Sequence, residues 1–313
     1  MYNVVITDTN LGDGSHEREA LGGGHRVAAH QARTEDEVLA VAAEADALLT
    51  QWAPITRRVL EGLPRLRAVV RYGIGLDTID LAAAADLGVQ VGNVDDYCLA
   101  EVADHAAASI YARNRRLTEG SRGYSSRGWT TEGIARPRPP AEDPVGIAGF
   151  GRIGRSLAVR VRALGFPVHV WDPLVEDMPD DVTVWPTLPE LAAAVRHLSL
   201  HLPSTAETRG IAGRDVLAAL GPDGHLVNTA RGALVDEAAL LDVLDSGELG
   251  FASLDVLSSE PPEDVSARVA DHPRVLVTPH IAYLSTRSLP RLRVRAAEKV
   301  RELLDRTPAR EGA

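Results

Sequence analysis

The sequence predicts an α/β protein built from two doubly wound parallel-sheet domains, on three observations. Short apolar runs alternate with segments of helical periodicity, the pattern of parallel strands joined by helical crossovers. The alternation occurs in two series, separated by a long helical segment and a stretch rich in Gly, Ser, Arg and Pro at residues 120–143. A glycine cluster, Gly149-Phe-Gly-Arg-Ile-Gly154, opens the second series between a strand and a helix. A length of 313 residues accommodates two such domains.

Taken in order, the first series has strand candidates at 4–6, 27–28, 47–49, 68–70 and 89–91, with helical segments such as 35–45 between them. Leu99, Val102, Ala103, Ala106, Ala107, Ile110 and Leu117 then recur at helical spacing and predict one helix over 99–117. Residues 120–143, which include Arg136-Pro-Arg-Pro-Pro140, have loop chemistry. The second series places strands at 145–148, 168–171, 198–202, 226–230, 250–256 and 275–278. A last helix is expected over 285–304, with Leu289, Leu292, Ala296, Val300 and Leu303 on one face and Pro290 in its first turn.

Composition narrows the partners. A net charge of -11 disfavours nucleic acid and anionic membrane surfaces. Cys98 is the single cysteine, so an internal disulfide is impossible and a cysteine metal cluster is not expected. No basic region followed by an apolar run starts the chain, and no apolar stretch is long enough for a bilayer. A cytoplasmic protein acting on small molecules is the expectation.

The glycine cluster has the context that a phosphate-binding turn requires. Val145-Gly-Ile-Ala148 precedes it, and Ile153, Leu157, Val161 and Leu164 mark one face of a helix after it. Gly149 permits the tight turn, Gly151 lets backbone approach a pyrophosphate, and Gly154 allows close helix–strand packing. The helix N-terminus then offers N–H groups and a positive dipole to phosphates. Asp172 ends the next strand, where its carboxylate can accept hydrogen bonds from ribose hydroxyls and would repel a 2′-phosphate. The pattern therefore favours NAD over NADP.

Three further polar residues follow strands of the same series: Arg231, Asp255 and His280, with Glu260 five residues past Asp255. Ligands of open parallel sheets bind beyond the carboxyl ends of the strands, so these residues and the glycine turn should converge on one edge. Read singly, His280 is as readily a surface or capping residue, Arg231 a solvated one and Glu260 ordinary loop. Read together they supply a cation for an anionic substrate, an imidazole, and a carboxylate to tune it.

Beyond this reading, Leu226-Val-Asn-Thr-Ala-Arg-Gly-Ala-Leu-Val-Asp-Glu237 resembles the central signature of the D-isomer-specific 2-hydroxyacid dehydrogenases. So do Ser253-Leu-Asp-Val-Leu-Ser-Ser-Glu-Pro261 and Thr278-Pro-His-Ile-Ala282, while Arg71-Tyr-Gly-Ile-Gly-Leu-Asp-Thr-Ile-Asp80 resembles the family's substrate loop. Arg71, Gln51-Trp-Ala-Pro-Ile-Thr56 and Asp95-Asp-Tyr-Cys-Leu-Ala-Glu-Val-Ala-Asp104 are most similar to the C-terminal-binding-protein-like branch. Departures from the family pattern are Thr78 in place of Asn, Tyr283 in place of that branch's Trp, and Ala141-Glu-Asp-Pro144 in place of a basic, glycine-containing lead-in.

The resemblance implies a Rossmann-type NAD domain (residues 99–282) inserted in a flavodoxin-like substrate domain (residues 1–98 and 283–313), a hinge at the crossings, and a homodimer through the NAD domains. It assigns catalysis to Arg231, Glu260 and His280. It assigns cofactor contacts to Arg152, Ile153, Asp172, Leu202, Pro203, Thr229, Ala230, Arg231, Asp255 and His280 beside the three glycines, with Val102 and Ile74 near the nicotinamide. Substrate would meet the loop Tyr72, Gly73, Ile74 and Gly75, together with Arg71, Arg231 and His280. Trp52 and Tyr283 are further candidates for lining its pocket; for Trp52, Arg71, Tyr72 and Tyr283 alike, ordinary packing is the alternative.

The implied reaction is hydride transfer between NAD(H) and C2 of a small 2-oxo/2-hydroxy acid, D-specific by resemblance. His280 serves as general acid/base, Glu260 favours its protonated form, and Arg231 clamps the substrate. The alternative of a different class is an NAD-sensing, corepressor-like protein on the same scaffold. A phosphoglycerate dehydrogenase with an added regulatory domain is not expected, because the last predicted helix lies close to the end of the sequence.

Overall fold

The structure is a computed structural model and describes residues 1–306. It divides into two compact units, Leu99–Tyr283 and a discontinuous one formed by Met1–Cys98 with the chain from Leu284 onward. The domain limit expected at residue 313 lies outside the described residues.

The discontinuous unit holds a parallel sheet of β1 (Asn3–Ile6), β2 (Arg26–Ala29), β3 (Ala47–Thr50), β4 (Ala68–Arg71) and β5 (Gln90–Asn93), in the order β2-β1-β3-β4-β5. This is the flavodoxin-like order. Its central strand β3 is buried throughout, which explains an apolar run rather than an alternation. The closing helix, Ser288–Arg306, lays Leu292, Ala296, Val300 and Leu304 onto this unit's core, and Arg67 donates to Leu304 O at 2.7 Å. Buried Glu17 on the helix Ser15–Leu21 accepts from Arg293 Nε and Nη2 at 2.9 and 2.8 Å, tying the first helix to the last.

The inserted unit is a seven-stranded parallel sheet of β6 (Val145–Ala148), β7 (Val168–Trp171), β8 (Thr183–Val184), β9 (His197–Leu200), β10 (His225–Asn228), β11 (Phe251–Leu254) and β12 (Val275–Val277). The order is β12-β11-β10-β9-β6-β7-β8. The chain winds outward from β6 to β8, then returns to β9 on the other flank of β6. The switch point of a doubly wound sheet therefore lies between β6 and β9. The edge strand β8 was not expected: it has two residues, both exposed, and so carries no apolar signal.

Two expectations need correction. The single helix over 99–117 stops at Asn114, because Arg116 takes a left-handed conformation with φ 57°. A second helix, Leu117–Arg127, then occupies the start of the stretch read as loop. Its glycines and serines argued against a helix by propensity. The structure accommodates them: the Ser125 and Ser126 hydroxyls donate to carbonyls four residues back, and bare Gly123 lets the Arg127 guanidinium lie across it. Among the described residues no helix is long and apolar enough to cross a membrane.

Candidate active site

The glycine turn sits at the switch point, and two of its glycines are sterically required. A Cβ on Gly149, at φ +93°, would fall 2.7 Å from His201 O beyond β9, and one on Gly154 would fall 2.2 Å from Gly149 O. Gly151 differs: a Cβ there would meet nothing within 4 Å, so its bare backbone faces open space. It is also the N-cap of the helix Arg152–Ala163, and no side chain caps that terminus. Arg152 and Ile153 form the first turn. Open backbone, an uncapped helix start and no side chain in the way are what a pyrophosphate needs.

Asp172, just past β7, accepts from Phe150 N–H at 2.6 Å and Leu174 N–H at 2.9 Å. The acid is thus anchored to the glycine turn itself, with lone pairs remaining on both oxygens. Leu202, after β9, reaches within 3.0 Å of the Gly149 Cβ position, which brings the Leu202–Pro203 turn against the glycines. At the end of β10 the buried Thr229 hydroxyl has no partner among the described residues, and Ala230 N–H donates to Asn228 Oδ1 at 3.0 Å. Val102 is buried on the helix Leu99–Asn114. These features fit a bound dinucleotide.

Beyond the ends of β11 and β12 the charged residues meet. His280 Nδ1 lies 2.6 Å from Glu260 Oε2. Glu260 Oε1 accepts from Leu257 N–H at 3.2 Å. Burial pushes the Glu260 carboxyl up, but the His280 hydrogen bond and charge, the Leu257 N–H and the Arg231 charge outweigh it, holding the group below the usual glutamate value. Arg231 follows β10, and its Nη1 donates to Ala230 O at 2.6 Å. Tyr283 packs edge-on against the His280 ring at 5.8 Å.

Several positioning contacts escaped the sequence reading. His280 is in the left-handed region, φ 51°, a conformation that a non-glycine residue holds only when its surroundings fix it. Asp255 does the fixing. Its carbonyl accepts from His280 N–H at 2.9 Å, and its buried carboxylate accepts from Ile281 and Ala282 N–H, both at 2.9 Å, and from the Thr278 hydroxyl at 2.5 Å. Three of its acceptor sites are therefore occupied by its own loop, which makes Asp255 a support of His280 as well as a cofactor candidate. Glu237 does the same for the Glu260 loop, accepting from Ser258 N–H at 2.7 Å and the Ser266 hydroxyl at 2.5 Å. A Cβ on Gly232 would fall 2.0 Å from Leu257 C, so the Arg231 segment and the Glu260 loop touch backbone to backbone there. An acid or glycine beside a signature residue was the only available signal.

In the discontinuous unit, the loop after β4 has its own geometry. Gly73 has φ +124°, and a Cβ on it would fall within 2.4 Å of Arg71 Nη1, so the guanidinium overlies the glycine. Arg71 Nε donates to Gln51 O at 3.2 Å. Asn93 Nδ2 donates to Ile74 O at 2.6 Å, which braces the loop ahead of Gly75. Trp52 is exposed, with the Arg33 guanidinium 5.2 Å above its ring. Tyr72 requires correction as a substrate contact. Its side chain is buried and donates to Glu17 at 2.8 Å, and its N–H donates to Thr50 O at 2.8 Å, so it is sheet and core rather than lining.

Comparison with known proteins agrees with this construction. Residues 107–282 match the model of the D-isomer specific 2-hydroxyacid dehydrogenase, NAD binding domain. The chain is 35% identical over 272 residues to D-3-phosphoglycerate dehydrogenase of Mycobacterium tuberculosis, covering 85% of this chain and 50% of that protein. It thus spans about half the length of that relative. It is 31% identical over 262 residues to glycerate dehydrogenase of Methylorubrum extorquens, covering 82% of each. Among solved structures it is similar to NADPH-dependent glyoxylate/hydroxypyruvate reductase from Sinorhizobium meliloti, in complex with NADP and malonate. The TM-score there is 0.84 at 27% identity, over 98% of this chain and 95% of that one. The sheet order, the glycine turn at its switch point and these matches together place the chain in the D-isomer specific 2-hydroxyacid dehydrogenase family, with residues 107–282 forming the family's NAD-binding domain.

Proposed function

We propose that the protein is an NAD-dependent dehydrogenase that exchanges hydride between the cofactor and C2 of a small 2-oxo/2-hydroxy acid, with His280 as general acid/base. The observation that carries this is the 2.6 Å contact of His280 Nδ1 with Glu260, on the same sheet edge as the open glycine turn. When bound, the nicotinamide supplies or accepts the hydride.

The chain's own residues handle charge and protons. A carboxylate only accepts, so Nδ1 of His280 carries the hydrogen toward Glu260 and Nε2 is the nitrogen left to exchange a proton with the substrate oxygen. Glu260, held ionised, stabilises the imidazolium that reduction of a ketone requires. Arg231 is assigned to the substrate carboxylate or carbonyl, where a guanidinium can make paired hydrogen bonds and draw charge from C2. Carboxylate recognition is further assigned to the N–H groups of residues 73–75, which donate to no partner among the described residues, helped by Arg71. Asp172 favours NAD, because a second anion would meet a carboxylate already fixed in place.

The finer family placement proposed is the C-terminal-binding-protein-like branch, carried by Arg71 and the segments 51–56 and 95–104. Assembly as a homodimer through the NAD units is part of the same reading. One experiment tests the main claim: a panel of 2-oxo acids of rising size, followed by NADH absorbance, with the configuration of each product determined. Turnover of at least one acid to the D-hydroxy product is expected. An absence of turnover across the panel, with NADH demonstrably bound, would reject the dehydrogenase in favour of a sensor.

A further inference from the structure

At the opposite edge of the seven-stranded sheet lies a second polar site. A cavity of about 240 Å³ opens beside the starts of β9 and β10, lined by Arg113, Arg116, Arg136, Arg138 and Arg196 with Asp143, Asp223 and His197. Five guanidiniums share three carboxylates. Arg113 and Arg116 both pair with Glu119, while Arg196 lies 3.6 Å from Asp143 and 3.4 Å from Asp223. Arg136 and Arg138 have no side-chain partner among the described residues. This cationic excess stands out in a chain of net charge -11. Burial and the nearby Arg116 charge lower Arg113 to about 10.

A buried donor points into the same cavity. His197 Nδ1 lies 3.0 Å from His225 Nδ1, and His225 Nε2 lies 2.9 Å from Ser253 Oγ. Only one of the two Nδ1 atoms can carry a hydrogen. If His197 carried it, its Nε2 would present a lone pair toward the Asp143 carboxylate, 3.7 Å away, and the two would repel. The favourable arrangement has Ser253 donating to His225 Nε2 and His225 Nδ1–H donating to His197. His197 Nε2 then bears a hydrogen. That atom is buried, on a side chain 1% exposed, and has no hydrogen-bond partner among the described residues. Asp143 Oδ1 and Asn114 Oδ1, also buried and without a hydrogen-bond partner among the described residues, line the same cavity, so its occupant has to offer an acceptor to His197 and a hydroxyl or acid hydrogen to these oxygens.

We propose that this pocket binds a small multivalent oxyanion, a polyphosphate or polycarboxylate, through Arg136, Arg138 and the Nε2–H of His197. The cavity holds the volume of about eight waters at ~30 Å³ each, enough for an ion of pyrophosphate or citrate size. Guanidiniums suit either, since their paired N–H groups match phosphate and carboxylate oxygens alike. The glycine turn lies past the carboxyl end of β6 and this pocket at the amino ends of β9 and β10, so the two anion sites are separate.

The test is calorimetric titration of pyrophosphate, and in a second arm citrate, into protein saturated with NADH at constant ionic strength. Saturation keeps the glycine turn filled. One site per chain is expected, in at least one arm; the responding arm identifies the phosphate or carboxylate source. In the double variant Arg136→Ala/Arg138→Ala, affinity should fall at least about tenfold, the loss of one charge-assisted hydrogen bond or more. NADH affinity and melting temperature should stay as in the parent, since both arginines are exposed and lie outside helix and strand. No binding in either arm, or equal affinity in the double variant, overturns the proposal. So does a double variant that changes only the sedimenting mass, which would make the pocket a contact between copies. A protein that binds no NADH yet binds the anion through these arginines would overturn the function proposed above and uphold this site.

Discussion

A histidine–glutamate pair and a histidine–histidine pair stand at opposite edges of one sheet, and their surroundings give them different chemistry. At the carboxyl edge, His280 and Glu260 have side chains 39% and 38% exposed and touch at 2.6 Å. At the amino edge, His197 and His225 are 1% and 0% exposed and touch each other at 3.0 Å. Burial disfavours the charged form of both buried rings and pushes them below the ordinary histidine range, His225 further through the nearby His197. A histidine that faces both water and a carboxylate is open to a reactant on one nitrogen and held by a hydrogen bond on the other. One enclosed beside another imidazole is held neutral and serves as a fixed donor or acceptor.

The largest expected effect tests the first half of that contrast. His280→Ala should lower kcat by about 10²–10⁴-fold while leaving the dissociation constant for NADH, measured by fluorescence, nearly unchanged. Loss of NADH binding instead would reassign His280 to structure. Next comes Gly232→Ala, which forces a methyl into the backbone of Leu257. It should destabilise the protein by about 1–3 kcal/mol in denaturant titrations and reduce activity as well, since the displaced loop carries Glu260. A variant of wild-type stability would show that the close approach relaxes freely.

Arg231→Lys should raise KM for the 2-oxo acid by about tenfold, because a lysine cannot reproduce paired guanidinium bonds. Wild-type KM would remove Arg231 from the substrate. Glu260→Gln removes the acceptor charge that faces His280 Nδ1, and kcat for reduction should fall by about tenfold with NADH affinity unchanged. A parental kcat would make Glu260 a loop residue only. In the parent, Glu260 is held below its usual value, so the pair's contribution to stability is present above that value and is lost as pH falls through the lowered one.

The last effect is on stability and not on turnover. His201, half-buried with its Nε2 2.8 Å from Ser199 Oγ, is pushed down to about 4 by desolvation. The unfolded chain binds its proton near the reference value of about 6.5, so stability should fall as pH drops from there to about 4, by at most about 1.4 kcal/mol per pH unit. His201→Asn should flatten the stability profile across that window in denaturant titrations. An unchanged slope would mean that His201 is not neutral in the folded state.

What the sequence disclosed follows the same division between exposed chemistry and enclosed support. The parallel strands were legible because both faces are covered, leaving continuous apolar runs such as 47–49. Arg231, Asp255 and His280 were legible as candidates because topology places whatever follows a parallel strand at one edge, whereas Glu260 was assigned through the family resemblance. The hidden parts depend on partners distant in sequence. Nothing local marks Tyr72 as the partner of Glu17, 55 residues away, or Asp255 as the clamp on a left-handed His280. The helix Leu117–Arg127 was hidden by its own composition, since its glycines and serines read as loop until their contacts are seen.

The contact at Gly232 has a consequence for altering specificity. Because the peptide chain bearing the guanidinium abuts the one bearing the imidazole's carboxylate with no side chain between, neither can be lengthened or re-routed on its own. A redesign of either stretch therefore has to move the two together, as one rigid insert.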